Sequence, residues 1–152
     1  MTRVQLIILA AFGSAALLAG AFTFQAFGYA PCHLCLLQRW PHAAAVLIGV
    51  LALAVGWRFL PWLGAAAALT TAALGLYHTG VERQWWQGPT TCTSGSTVGV
   101  DPKDLLNQIL AAPIVKCDVA AWDLLGISMA SWNMLASLVL VFVWIAAARK
   151  PA

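Results

Sequence analysis

The chain has 152 residues, of which 62% are hydrophobic and only 9% are charged, and its formal net charge is +3. A soluble domain of this length is far less apolar, so the composition excludes a soluble fold. No nucleic acid is expected among its partners. The sequence therefore predicts an integral membrane protein.

Four apolar stretches are long enough to cross a bilayer as helices. A helix needs about 20 residues to cross about 30 Å of hydrocarbon. The predicted spans run roughly over residues 4–24, 34–57, 59–77 and 126–148. We predict one all-α membrane domain over residues 1–152, a four-helix bundle with a long loop at roughly 79–125.

The charged residues orient this bundle across the membrane. Basic residues without acidic neighbours flank the spans on one side: Arg3, Arg58, Arg149 and Lys150. All acidic residues fall in the long loop: Glu82, Asp101, Asp104, Asp118 and Asp123. The positive-inside rule therefore predicts cytoplasmic termini and an outer, periplasmic loop. Tryptophans near the span ends are predicted to form an aromatic belt at each interface, with Trp144 in the inner belt.

A cleaved signal peptide is the alternative interpretation of the first span, because Arg3 gives it a positive start. Its apolar run is longer than the usual signal-peptide core, which favours a retained helix. In both interpretations the following segment emerges on the outer side.

All four cysteines fall on that outer side. Cys32 and Cys35 form a C-x-x-C motif at the outer end of the second span, and Cys92 and Cys117 lie in the loop. Disulfides persist in the oxidising periplasm of a bacterium. The C-x-x-C spacing is typical of exchanging dithiols, since so small a ring constrains little chain entropy. A structural disulfide suits the loop pair, and disulfides without redox exchange remain an alternative.

A metal or haem site explains the cysteines less well. A zinc site would need a second close-spaced pair, and covalent haem would need a histidine where Leu36 stands. We therefore expect no metal, and redox exchange is the favoured interpretation.

The arginine after the motif points to the same chemistry. In a helix, Cys32, Cys35 and Arg39 share one face, and a helix N-terminus and a guanidinium both favour thiolate over thiol. The alternative is an arginine that extends its charge to the lipid headgroups. Pro41 follows closely and is expected to kink the helix or to start it anew.

The electron acceptor is not a Rossmann-type cofactor, because no G-x-G-x-x-G motif occurs. A lipid-soluble quinone needs only an apolar groove and one or two polar groups. The candidates for those groups are Gln38, Arg39 and His78, although a lone histidine could also simply cap the third helix.

Three segments resemble the disulfide bond formation protein B (DsbB) family: PCHLCLLQR, YHTGVERQWWQGPTTC and KCDVAAWDLLGISMASWN. The resemblance covers nearly the whole chain. A C-x-x-C with arginine four residues on, followed by a two-cysteine outer loop, is a specific signal. In vitamin K epoxide reductase-like proteins the C-x-x-C follows the loop cysteines, so the motif order excludes them. The segment TSGSTVGVDPKDLLNQILAAP carries no family signature.

The resemblance implies a thiol:quinone oxidoreductase of the bacterial inner membrane. Such a protein reoxidises a DsbA-like periplasmic oxidase of the thioredoxin fold and reduces a quinone, ubiquinone rather than menaquinone. It implies that the partner attacks Cys92, that Cys117 is the loop partner of Cys92, and that Cys32 exchanges with the loop. Cys35 would then meet the quinone, with Arg39 and His78 beside it. The competing function is a disulfide-stapled membrane protein that binds or transports a ligand without turnover.

The long loop also carries a helix signal. Asp101 is predicted to cap a short amphipathic helix with Pro102 at its first position. An apolar stripe follows before Pro113: Leu105, Leu106, Ile109 and Leu110. This helix is expected to lie on the membrane surface or to pack on the bundle.

Overall fold

The computed structural model describes residues 1–89 and 116–151. Its elements in chain order are helices α1 (Arg3–Ala26), α2 (His33–Val55) and α3 (Leu60–Glu82), strands β1 (Asp123–Leu124) and β2 (Ile127–Ser128), and helix α4 (Met129–Arg149). The predicted loop helix that begins near Asp101 lies outside the described residues, as does Cys92.

The four helices are long and apolar enough to cross a membrane, which confirms the prediction of four spanning helices. Two of them differ in extent from the predicted spans. Helix α3 continues to Glu82 instead of ending near Tyr77. Helix α4 begins at Met129, because the chain first forms a short antiparallel hairpin from β1 and β2.

Local sequence signals explain where the helices begin and end. At the start of α1, the Thr2 hydroxyl accepts the backbone N–H of Gln5, and the Gln5 side chain accepts the backbone N–H of Thr2. Helix α2 ends at Gly56, whose φ of 74° lies in the left-handed region that glycine adopts without strain. Helix α2 runs without a break through Pro41. The proline therefore does not start a new helix here, although it leaves the Leu37 carbonyl without its usual donor.

Small residues let the helices approach closely around one buried tryptophan. Trp144 is fully buried, and a Cβ added to Gly64 would lie 2.6 Å from its ring. A Cβ added to Gly49 would also contact this indole, at 3.6 Å. Gly64 therefore leaves the space that the ring fills, while the nearest atom to a Cβ at Gly49 would be the Ala11 side chain at 2.5 Å. The prediction that Trp144 belongs to the inner aromatic belt is therefore wrong, because helix packing takes it into the core.

The two ends of the bundle have different roles. Arg3 donates to the backbone oxygens of Gly56 and Trp57 at 3.2 and 2.8 Å, so the start of α1 and the α2–α3 turn lie at one end. Cys32 and Cys117 lie together in a buried cluster that includes the beginning of α2 and Val81, near the end of α3. Cys32, Cys35 and Cys117 therefore occupy the end opposite to Arg3.

Candidate functional site

Cys32 is the N-cap of α2. Its sulfur accepts the backbone N–H of Cys35 at 3.2 Å, where a serine or aspartate oxygen would usually accept it. This contact holds the sulfur at the positive end of the helix dipole. The Sγ atoms of Cys32 and Cys35 are 2.7 Å apart, and both cysteines are free thiols. The helix start thus brings the two sulfurs close enough to share a proton or to form a disulfide.

A third cysteine lies beside this pair. Cys32 and Cys117 are buried in one cluster with Leu34 and Val81, and Cys35, which is half-buried, packs against it. Cys117 is disulfide-bonded. Cys117 and Cys32 are 85 positions apart in the chain, so only the tertiary structure brings them together.

The hydrogen bond that the Cys32 thiol donates to Cys35 and the burial of Cys32 both raise the pKa of the Cys32 thiol. The proton shared by the two sulfurs therefore stays on Cys32.

His78 reaches the dithiol from α3. Its Nε2 lies 3.5 Å from the Cys32 sulfur and 3.7 Å from a carboxylate oxygen of Glu82, one helical turn further on. The sulfurs of Cys32 and Cys35 and the near ring nitrogen of His78 all lie within 4.8 Å of one another, a group that could hold a metal ion by its geometry. The prediction of no metal rested on the spacing of the cysteines along the chain. That spacing carries no information about a histidine that comes from another helix.

Gln38 lies in a buried polar network that joins α2, α3 and α4. Its side-chain nitrogen donates to the Leu34 carbonyl at 3.2 Å and lies 2.9 Å from Nδ1 of His78. Its side-chain oxygen accepts from Asn133 at 2.7 Å. Both amide hydrogens of Gln38 are therefore engaged within the protein.

The sequence analysis missed three members of this network, which link to Gln38 or to one another: His42, Thr71 and Asn133. The signal that could have found them is their position. Polar side chains within membrane spans are costly unless they find partners, so each one marks a candidate functional site.

Arg39 connects α2 to the last turns of α1. It donates to the Gln25 side chain at 2.7 Å and to the Ala21 carbonyl at 3.2 Å. Its guanidinium also lies 4.8 Å from the centre of the Phe22 ring, a distance at which a cation is attracted by the aromatic face. These contacts hold the charge at the edge of the site.

A cavity of about 460 Å³ lies beside the dithiol, between α1, α2 and α4. This volume is in the range of ligand-binding pockets. The cavity is lined by all of the residues predicted for the dithiol or for quinone contact: Cys32, Cys35, Gln38, Arg39 and His78. Most of the remaining wall is apolar, with Leu17, Phe24 and Trp132 among its residues. A mostly apolar cavity with a few convergent polar groups suits a hydrophobic ligand with polar atoms at one end.

The fold and the site together define a multi-pass membrane protein with a buried dithiol beside an apolar cavity. The family model of disulfide bond formation protein DsbB matches residues 3–147, so the chain belongs to the DsbB family. Membership confirms the resemblance drawn from the motifs and assigns the chain to disulfide bond formation.

A relative of this chain is the uncharacterised protein RP370 of Rickettsia prowazekii (strain Madrid E). The two are 29% identical over 119 residues, which cover 76% of this chain and 69% of the relative. No solved structure matches the chain.

Proposed function

We propose that this chain is a membrane thiol:quinone oxidoreductase that reoxidises a DsbA-like periplasmic oxidase and reduces a membrane quinone, ubiquinone rather than menaquinone. The observation that carries the proposal is that Cys35, whose sulfur lies 2.7 Å from that of Cys32, lines an apolar cavity of about 460 Å³. A dithiol in that position can pass its electrons to a lipid-soluble acceptor.

The proposed route has three steps. The partner's thiolate attacks Cys92 of a Cys92–Cys117 disulfide, and the partner's second thiol then resolves the mixed disulfide, leaving the loop cysteines reduced. The Cys117 thiolate attacks Cys32 of an oxidised Cys32–Cys35 pair, and Cys92 resolves that second mixed disulfide. Cys35 leaves as the thiolate, so that Cys32 and Cys35 are both reduced. Re-formation of the Cys32–Cys35 disulfide then releases the electron pair and two protons that reduce the quinone. One turnover oxidises one partner dithiol to a disulfide and reduces one quinone to the quinol, with two protons transferred.

The neighbours of the dithiol have separate roles in this proposal. Cys117 packs in the same buried cluster as Cys32, as the second step requires. Arg39 has five N–H donors, and the remaining ones are available to a quinone oxygen in the cavity that Arg39 lines. His78 also lines the cavity, and Gln38 acts by holding the His78 ring.

The central test is quinone reduction by the purified protein. With a reduced DsbA-like partner and ubiquinone, we expect catalytic loss of the quinone absorbance and formation of one partner disulfide per quinol. Cys35→Ser should reduce turnover to background while the protein stays folded. If the parent protein binds its partner but consumes no quinone, the stapled binding or transport protein becomes the better description.

We further propose that the single membrane domain has cytoplasmic termini and periplasmic cysteines. In a cysteine-free background, Val119→Cys and Trp57→Cys place exposed reporters at opposite ends of the bundle. A thiol reagent that cannot cross membranes should label only Val119→Cys in cells whose outer membrane alone is permeable. Labelling of Trp57→Cys in those cells, with Val119→Cys protected, would invert the orientation.

A further inference from the structure

The direction of the Gln38 amide is determined by the backbone of its own helix. The Leu34 carbonyl can only accept a hydrogen bond, and the Gln38 group that faces it at 3.2 Å is the side-chain nitrogen. Turning the amide over would place two oxygens against each other in a buried site. The same nitrogen faces Nδ1 of His78 at 2.9 Å, so Gln38 donates to this ring nitrogen.

An independent contact gives the same direction. The Thr71 hydroxyl donates its hydrogen to the backbone oxygen of Gln38 at 3.2 Å, so it can only accept from Asn133. The Asn133 nitrogen therefore donates to Thr71, and it donates at 2.7 Å to the side-chain oxygen of Gln38 as well. Two fixed acceptors on different residues thus orient both amides consistently.

These donors determine the tautomer of His78. Because Nδ1 accepts from Gln38, the ring proton of neutral His78 is on Nε2. His78 also donates a ring N–H to the backbone of Cys117. The surroundings of Nε2 agree with this tautomer, since the Cys32 sulfur lies 3.5 Å away and a Glu82 carboxylate oxygen 3.7 Å away. Both atoms can accept a hydrogen bond. The ring therefore directs an N–H group, and no lone pair, toward the dithiol.

We propose that Asn133, acting through Gln38, is a positioning residue that keeps His78 in the Nε2–H tautomer and thereby prevents the reduced dithiol from capturing a thiophilic divalent cation. The sulfurs of Cys32 and Cys35 and the ring nitrogen of His78 lie within 4.8 Å of one another, and Nε2 can ligate a metal only after losing its proton. This inference is independent of the quinone, because it concerns only the protonation pattern around the reduced cysteines.

A further candidate ligand is Glu82, whose Oε1 lies 3.7 Å from Nε2 of His78, although Glu82 is not part of the group whose atoms all lie within 4.8 Å of one another. Glu82 is nearly buried, and one of its carboxylate oxygens has no hydrogen-bond partner among the residues that the structure describes. Two thiolates, one imidazole nitrogen and one carboxylate oxygen are the ligand types of a tetrahedral zinc or cadmium site. The native site thus differs from a metal site in which ring nitrogen of His78 carries the proton, Nε2 in the native site and Nδ1 in a metal site.

Gln38→Glu tests this inference with a side chain of nearly the same shape. A carboxylate at position 38 accepts a hydrogen bond from Nδ1–H, which is the second contact that metal-ligating histidines usually have. The lone pair of Nε2 then faces the sulfurs. The other oxygen of this carboxylate faces the Leu34 carbonyl, so circular dichroism and thermal unfolding establish that the variant is folded before metal is added. With the cysteines reduced, Cd²⁺ should displace the two thiol protons and bind about 10- to 100-fold more tightly than it binds the parent, as measured by thiolate-to-metal charge-transfer absorption.

His78→Ala provides the control, because two thiolates bind cadmium to some extent without a histidine. The gain from Gln38→Glu should disappear in the His78→Ala background. If the parent already binds Cd²⁺ as tightly as Gln38→Glu does, or if the gain persists without His78, the inference is wrong.

A spectroscopic measurement tests the tautomer without any metal. In protein labelled with ¹⁵N-histidine, the ring nitrogens of His78 should show the Nε2–H pattern at neutral pH, with His78→Ala providing the assignment. Asn133→Leu keeps the volume but removes the donor to Gln38, so the tautomers of His78 should become mixed. An Nδ1–H pattern in the parent, or an unchanged Nε2–H pattern in folded Asn133→Leu, would remove Asn133 from this role.

Discussion

Replacing Cys117 with alanine is expected to reduce turnover to background and to trap the soluble partner on Cys92. The proposed first step joins the partner to Cys92 and releases the Cys117 thiolate. With alanine at position 117, a disulfide joining the partner to Cys92 has no loop thiol that can attack it, and electrons cannot pass on to Cys32. Cys117 is also buried beside Cys32, so its removal breaks the relay at the point where the loop meets the dithiol.

The trapped species should appear on non-reducing gels when Cys117→Ala is mixed with a partner that lacks its second cysteine and carries a small-thiol mixed disulfide on its reactive cysteine, and peptide mapping should identify Cys92 as the linked residue. The double variant Cys92→Ala, Cys117→Ala is the matched control and should trap nothing. Recovery of the partner on Cys32 would overturn the assigned route, because the loop would then not be the entry point for electrons.

Replacing Arg39 with alanine should slow quinone reduction and raise the apparent KM for quinone, while exchange with the partner stays nearly intact. A charge-assisted hydrogen bond to a buried acceptor contributes about 1.5–3 kcal/mol. If the contact acts in the transition state, kcat/KM should fall about 10- to 100-fold. Arg39→Lys should restore only part of this loss, because an ammonium retains the charge without the planar set of donors.

The structure supplies a control that separates catalysis from packing. Arg39 donates to the exposed side chain of Gln25, so Gln25→Ala removes this tie to α1 and leaves the guanidinium in place. We expect Gln25→Ala to change thermal stability in detergent more than quinone kinetics. If folded Arg39→Ala matches the parent in quinone kinetics and only loses stability, Arg39 is a structural residue, and the cavity beside it loses its main candidate for binding the quinone oxygen.

The effect of Pro41 on helix α2 could not be predicted from this residue alone. The residue removes one backbone donor, and that loss predicted a kink or a new helix start. Helix α2 runs from His33 to Val55 without a break, so the proline does not start a new helix. The other hydrogen bonds of a membrane helix have no competing water in the bilayer core, so a single missing donor is tolerated.

Several features followed from the amino-acid sequence alone. The apolar runs predicted four spanning helices, since their length must match the thickness of the bilayer, and the order of the cysteine motifs identified the DsbB family. Cys32 and Cys35 could be paired from their spacing because one helical start brings them together. All of these depend on neighbours in the chain or on the membrane itself.

Other features were decided only by tertiary structure. Trp144 is buried because Gly64, on another helix, leaves room for its ring. Asn133 donates to Gln38, which lies 95 positions earlier in the chain. This contact helps to orient the Gln38 amide, whose nitrogen faces His78. Hydrophobicity assigns a residue to the membrane but does not say which helix it faces. That choice depends on how the surfaces of four helices fit together. The spans and the dithiol could therefore be predicted from the sequence. The tautomer of the histidine beside the dithiol could not, because it depends on contacts between helices.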